Sequence, residues 1–479
     1  MKNLKSKLLV KLGIILVTAT VFSCNDMLNV EVRSTIEGNA YWKSENDFMP
    51  YLYGIYGRYR SHMNNWALTE ERTEMWKTGY VNRFTTYYTQ NISAGQTQDW
   101  SGYYSSIGHC NFLLYQLDRF KFSNENLKNQ VSAETYALRA ATYFELAKIF
   151  GDVPLVLEPT MNENEPLYAR SPVQDVFTQI NKDINEALSL MPSEGYVDKN
   201  RFSKPAVYAL LADVKMWTAS VLGGGATDYL AAINAIDKVE SSGVELLGTY
   251  GNIFDNRKNN EIVFSIYLNR LEYVNENFIN AFLYTNYVLG SDNLSELPTS
   301  STGLGCFCLT DRALELFSAY PQDKRISRTF VPEIVGGVIL NNWPKKFLGT
   351  VYSDTRVADS DIIIYRLSDM YLLKAEAYAY TNQVDKSLEY LNKVRARAGI
   401  PEFTNTDLTV LKKEILDERG RELFHEFKRW WCLRRAHATG LIDVHTFIPS
   451  YEGKTTPLYW AVHNNVLRRN EKLVQTDGY

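Results

Sequence analysis

The residues best suited to chemistry in this chain are flat aromatics crowded into stretches that lack helical periodicity. The sequence holds 9 Trp and 32 Tyr. Trp66, Trp76, Tyr80, Tyr87, Tyr88, Trp100, Tyr103 and Tyr104 fall close together, and Tyr284, Tyr287 and Trp343 recur much later. An exposed Tyr or Trp gives rigid contact area with a hydrogen-bond donor attached, which suits a ligand with apolar faces beside polar rims. Asn64, Asn65, Asn82, Arg83, Gln96, Gln98 and Asp99 are the polar groups nearest the first cluster.

Catalytic and metal-binding patterns are missing from the sequence. His425-Glu426 has no second histidine four positions after the first, as a zinc helix needs, and no G-x-S-x-G, Walker loop or G-x-G-x-x-G is found. Cys306-Phe307-Cys308 lacks a second pair at ligand spacing and reads as packing or loop. Acidic pairs are too numerous in a chain with 55 carboxylates to argue for glycoside hydrolysis. No catalytic residue, cofactor or metal site is expected.

One cysteine stands apart. Lys2, Lys5 and Lys7 precede an apolar run from Leu12 to Phe22, and Ser23-Cys24 closes it. A helix of eleven residues spans about 16 Å, too short for a hydrocarbon core of about 30 Å, so residues 1–23 read as an export signal. Cys24 then sits where a bacterial lipobox is cut and acylated. Acyl chains contribute ~0.8 kcal/mol per buried methylene, enough for a lasting membrane anchor when several are attached. The formal net charge is −4 and becomes more negative without Lys2, Lys5, Lys7 and Lys11. A mildly acidic chain of interspersed charge is a poor partner for nucleic acid.

The elements that must position the aromatics are helices. Ala137, Ala140, Ala141, Phe144 and Ala147 share one face of a helix ending at Gly151. Ser171 to Gln174 reads as a capping box with Pro172 at the first helical position, ahead of a stripe from Val173 to Leu188. Val207 to Trp217 make another stripe, and a further helix runs from about 228 to 241. Leu367–Tyr378 and Val384–Ala398, joined by Thr381-Asn382-Gln383, form a helical hairpin close to a tetratricopeptide unit. The earlier helix pairs read as degenerate copies of it. Such units bury their apolar faces by stacking on neighbours. Residues 62–106 and 244–360 are irregular excursions hung on that frame, with Ile262–Ile266 as a short strand. Loops this long are usually functional. The charges from Glu418 to Arg435 read as a solvated face or an internal salt-bridge network rather than a partner surface.

Motifs along nearly the whole chain then resemble one family. They begin with Cys24-Asn25-Asp26-Met27-Leu28 and Tyr41-Trp42-Lys43-Ser44. They continue through Leu138-Arg139-Ala140, Tyr143-Phe144, Phe150-Gly151-Asp152-Val153-Pro154-Leu155, Asn200-Arg201-Phe202-Ser203 and Asn260-Glu261-Ile262-Val263-Phe264. They end with Tyr365-Arg366-Leu367-Ser368-Asp369, Leu391-Asn392-Lys393-Val394-Arg395 and Glu418-Arg419-Gly420-Arg421-Glu422. In this order they resemble the SusD/RagB lipoproteins of Bacteroidetes outer membranes. Val32, where a proline is usual, and Gly420, where a second arginine is common, depart from the pattern.

The resemblance implies a mainly α fold with about four tetratricopeptide-like pairs as scaffold and the loop-rich part holding ligand. The expected parts are a signal at 1–23, an N-terminal SusD-like part at 24–243 and a C-terminal RagB/SusD part at 244–479. It implies a surface-exposed, lipid-anchored outer-membrane protein that captures glycan for a SusC/RagA-type TonB-dependent transporter and is not an enzyme. A peptide-binding member of the same architecture is the alternative, and a surface glycoside-active enzyme a remoter one. Carbohydrates present apolar C–H faces beside hydroxyls, so Trp66, Trp76, Tyr87, Tyr88, Trp100, Tyr284, Tyr287 and Trp343 are the candidate ligand contacts, with Cys24 as the lipidated residue.

Overall fold

Helices pair and stack, and the strands are confined to short two-stranded sheets between them. A computed structural model describes residues 41–63, 67–82, 85–161, 166–274, 290–301 and 303–479. Cys24, Trp66, Tyr284 and Tyr287 lie outside the described residues. The chain divides into two units, Met1–Phe48 and Met49–Tyr479. In the first, Ser44 N–H donates to Asp47 Oδ2 at 2.7 Å and caps the short turn Glu45–Asp47.

The second unit carries the frame. Its long helices are α1 (Phe48–Met63), α2 (Ser101–Arg119), α3 (Glu125–Phe150), α4 (Val173–Leu190), α5 (Lys204–Ser220) and α6 (Gly225–Glu240). After the second excursion come α7 (Asp311–Ser318), α8 (Leu367–Tyr380), α9 (Val384–Ala398), α10 (Leu408–Glu422) and α11 (Arg429–Ala438). The pairs α3/α4, α5/α6, α8/α9 and α10/α11 pack together, and α6 rests on α8 to join the earlier pairs to the later ones. This is the mainly helical, four-pair scaffold that the periodicity and the resemblance predict.

The alanine face of α3 is wholly buried, and so is most of the rest of that helix. Arg139 is one of three charges buried on it, with Glu134 and Lys148. Its guanidinium makes a bidentate pair with Asp183 of α4, at 2.8 and 2.7 Å, and donates to Asn111 Oδ1 of α2 at 2.8 Å. One side chain thereby fixes three helices. Gly151 stops α3 with φ 71°, a conformation in which glycine has no Cβ penalty.

The start of α4 differs from the sequence reading. Pro172 is the N-cap and Val173 the first helical residue, so Ser171 does not cap the helix. Its N–H instead bonds the Val153 carbonyl at 3.0 Å, and Asp152 Oδ1 accepts the Val173 N–H at 2.8 Å. A carboxylate brought across by the preceding loop does the capping, which sequence spacing cannot show.

The strands are β1 (Trp76–Thr78), β2 (Ile262–Ile266), β3 (Phe307–Leu309), β4 (Phe330–Val335), β5 (Val338–Pro344), β6 (Thr350–Val351), β7 (Arg356–Val357) and β8 (Ile362–Arg366). They pair antiparallel as β1–β3, β2–β8, β4–β5 and β6–β7. The second excursion is thus richer in strand than its polar, turn-prone sequence suggests.

Glu418, Arg419, Arg421 and Glu422 at the end of α10, and Glu426 in the turn after it, face inward. Arg366 pairs with Glu261, Glu422 and Glu426 at 2.9, 2.5 and 2.7 Å. Arg325 pairs with Asp323, Glu418 and Glu422 at 2.6, 2.6 and 2.9 Å, and Arg397 reaches Glu261 and Glu422. Burial alone would push the Glu422 carboxyl up, but Arg397, Arg366 and Arg325 outweigh it and hold it well below the usual carboxylate range. Of the two sequence readings, the internal network is the one observed.

Candidate functional site

The two excursions meet at β1 and β3. Trp76 stands opposite Leu309 and Thr78 opposite Phe307, and two further backbone bonds prolong the pairing, Gly79 N–H to Cys306 O (2.7 Å) and Tyr80 N–H to Gly305 O (2.9 Å). The β4–β5 hairpin packs beside β3. Trp343 of β5 lies in the seam with no exposed surface. Two glycines make room for its indole. A Cβ on Gly79 would fall 2.3 Å from the Gly305 oxygen and 2.6 Å from the Trp343 ring. Gly305, at φ 56°, would place one 3.2 Å from the same ring.

Tyr80 then lies over Trp343, ring centroids 5.8 Å apart and planes 10° from parallel. It is 41% exposed, an aromatic face turned outward with a second aromatic fixed behind it. The polar centre beneath is Glu333 of β4, fully buried. Its carboxylate accepts from the Tyr80 hydroxyl, from Trp343 Nε1 at 2.9 Å, from Asn341 Nδ2 at 3.2 Å and from Ser291 Oγ at 3.5 Å. Burial and the bond to Glu333 raise the Tyr80 phenol well above its ordinary range, so it stays a neutral donor. Beyond this point the hairpin exposes Val338, Ile339 and Leu340 in a row.

The expected contact residues separate into two groups. Trp76 belongs to the core behind this seam, with 1% exposed and its Nε1 donating to Glu70 at 3.0 Å. Tyr88 is half-buried against Phe307 of the same seam. Tyr87, its neighbour in sequence, turns the other way. It stacks on Trp460 at 4.5 Å and 17°, and its hydroxyl donates to the Gln96 carbonyl at 3.1 Å. Trp100, at the N-terminus of α2, packs edge-on against Phe150 at 5.1 Å and is 4% exposed. Asp99 caps that helix through the Ser101 N–H at 2.7 Å. An open groove of about 300 Å³ lies there, lined by Trp100, Tyr104, Leu167, Tyr168, Arg469 and Asn470 among others.

Sequence and structure therefore differ over Trp76, Trp100 and Trp343. Expected to face solvent, all three are buried, Trp76 against Phe424, Trp100 against Phe150 and Trp343 among Leu297, Cys308 and Val331. Tyr80 and Glu333 are what the sequence reading left out of its candidate set. The signal for Glu333 was present. In Phe330–Val335 the alternate positions Val331 and Glu333 are the buried ones, so a carboxylate stands on the inward face of a strand.

Glu70 and Glu71, behind β1, have carboxyls raised by burial to about 7 and about 8. Both are enclosed, and Glu70 is committed to Trp76 Nε1 and the Phe427 N–H. They are structural acids. The Cys306 and Cys308 thiols are buried and unbridged, as the spacing predicts, and burial pushes Cys308 up to about 11.

A SusD-like family model, described as starch-binding and associating with the outer membrane, matches residues 31–216, and the SusD family model matches 333–479. Together they take in well over half of the chain. The chain belongs to the SusD/RagB family. SusD-like protein P38 of Formosa agariphila is 25% identical over 476 residues, covering 87% of this chain and 88% of the relative. The solved structure of B. fragilis NanU has a TM-score of 0.80 at 24% identity, covering 92% of this chain and 98% of that one. A laminarin-binding SusD-like protein has a TM-score of 0.77 at 22% identity, covering 91% and 100%. These structures share the SusD fold. Among the described residues no helix is long and apolar enough to cross a membrane.

Proposed function

We propose that this SusD-like protein is a lipid-anchored receptor at the cell surface. It holds a glycan against the outer face of Tyr80 and delivers it to a SusC/RagA-type TonB-dependent transporter. The observation that carries the site is the Tyr80 ring, exposed and backed by Trp343, where strands from both excursions pair. A sugar ring lays its C–H face on such a platform, and the polar groups around it bind the rim. The family description as starch-binding and outer-membrane associated supports the ligand class and the location, and the laminarin-binding neighbour supports a glucan as first probe.

Binding without hydrolysis is the reading favoured by Glu333. The carboxylate under the platform is buried and held by four donors, so it is placed to orient Tyr80 and Trp343 rather than to protonate a leaving group. A shallow one-sided platform gives affinities in the micromolar to millimolar range, about −4 to −8 kcal/mol. A peptide ligand is the second reading, favoured by the exposed row Val338, Ile339 and Leu340.

Titrating the protein with laminarin, starch oligosaccharides and a peptide library tests the ligand class. Glycan binding supports the reading, and binding confined to peptides overturns it. Isolation from mild detergent tests the partner, with co-recovery of a TonB-dependent barrel expected. Recovery of the lipoprotein alone from several detergents counts against the partnership.

A further inference from the structure

The loop leaving α11 folds back on the helix that it ends. Gly440, at φ 72°, donates its N–H to the His437 carbonyl at 3.0 Å, and Leu441 N–H reaches Ala436 O at 2.9 Å. That pair of bonds is a Schellman closure, and it turns the chain through a tight corner. The short helix Val444–Phe447 follows, with Asp443 as its N-cap. His437 from the last turn of α11 is thereby set beside Asp443 and His445.

Three ligand atoms converge there. Asp443 Oδ1 is 3.5 Å from His437 Nδ1 and 3.2 Å from His445 Nδ1. One ligand atom from each of the three residues lies within 4.8 Å of the others. A tetrahedral zinc with bonds of about 2.0–2.1 Å has ligand–ligand edges of about 3.4 Å, and the two measured edges bracket that value. Capping the short helix accounts for Asp443, whose Oδ1 accepts the His445 N–H at 3.1 Å, but not for two imidazoles gathered on the same oxygen. His445 Nδ1 is also within hydrogen-bond distance of that oxygen, at 3.2 Å, and a cation between the two atoms would replace this contact. His437 Nδ1 accepts the Val444 N–H at a long 3.3 Å, so the ring proton sits on Nε2, and a metal held by Nδ1 would take the place of that weak contact. His437 and His445 are half-buried and Asp443 is exposed, so the remaining coordination positions open to water. Behind the cluster, the Tyr451 ring backs His445 edge-on at 5.1 Å.

We propose that His437, Asp443 and His445 form a binding site for a divalent transition cation of the zinc class. Two imidazole nitrogens and one carboxylate suit such a metal, whereas calcium takes six to eight oxygens. The cation closes the corner after α11 and ties residues 439–447 to the helical frame. The site shares no residue with the Tyr80 platform, so the two stand or fall separately. Its ligands follow no helical spacing, which is why the sequence gives no sign of it.

The test is titration of the metal-free full-length protein in detergent with Zn2+ alone, by calorimetry, and with Co2+, by absorbance. One equivalent of zinc should bind and raise the melting temperature, calcium should do neither, and cobalt should give a tetrahedral d–d band without thiolate charge transfer. His437→Ala and His445→Ala should each weaken zinc binding by more than the about 10- to 100-fold typical of losing an outer partner. Asp443→Asn keeps a helix-capping side chain, so it should leave the metal-free melting temperature unchanged while weakening zinc binding. Zinc binding of equal strength in wild type and His445→Ala, or none at millimolar zinc, would overturn the proposal.

Discussion

Replacing Tyr80 and Trp343 one at a time should separate recognition from folding at a single aromatic stack. Tyr80→Ala removes an outward ring that is 41% exposed, together with a stacking contact of about 0.5–1.5 kcal/mol. Glu333 keeps its bonds from Trp343 Nε1 and Asn341 Nδ2, so no buried carboxylate is stranded. The stability loss should stay at about 1–2 kcal/mol. Ligand affinity should fall by about 2 kcal/mol or more, roughly 30-fold, because the platform itself is gone. Trp343→Ala is the opposite case. It empties a fully buried indole site and removes a donor from Glu333, at about 3–5 kcal/mol of stability. Calorimetric titration with laminarin or the best-binding glycan, paired with urea unfolding of each variant, reads both quantities. Unchanged affinity in a folded Tyr80→Ala protein would refute the platform. The family assignment would survive that result.

Three further outcomes are expected. Glu422→Ala should cost about 3–5 kcal/mol, because Arg325, Arg366 and Arg397 lose a shared buried partner, and urea unfolding measures it. Glu418, held at about 2, and Glu422, held well below its ordinary value, lend stability that is complete above about pH 4.5 and is lost as pH falls toward 2. Glu71 acts with the opposite sign. Its folded value of about 8 lies above the ordinary 4.5, so the protein should lose stability as pH rises between those values, and Glu71→Gln should remove a few kcal/mol of that slope on a pH series of melts. Cys24→Ala should leave a folded protein that no longer partitions into the detergent phase, and unchanged partitioning would sink the lipobox reading.

The helical frame was legible because its period is local. The stripes on α3, α4 and α5 and the glycine stop at Gly151 can all be read within a few residues. The short strand at 262–266 was legible for the same reason. What escaped depends on neighbours distant in sequence. The α4 cap comes from Asp152 rather than Ser171, and the direction of Trp76 and Trp343 is set by which strands meet over them. Aromatic density pointed to the two excursions that pair at β1 and β3 but could not tell the inner ring of a stack from the outer one. Tyr80 and Trp343 have the same chemistry, and only the glycines at 79 and 305 decide which is covered.

The pairing of β1 with β3 also governs when the platform comes into being. Lys77 and Cys308 face each other across 231 residues of chain. Closing so large a loop costs entropy that no local contact repays, so this contact belongs to the slow, late part of folding. The helix pairs between them are near-neighbour structures and can assemble first. Two of the four helix pairs, α3/α4 and α5/α6, precede β3 in the chain and can form before the strands that place Trp343 behind Tyr80 are available. A truncation just before residue 307 should keep those two helix pairs but lack β3, Glu333 and Trp343, so the Tyr80–Trp343 stack should not form.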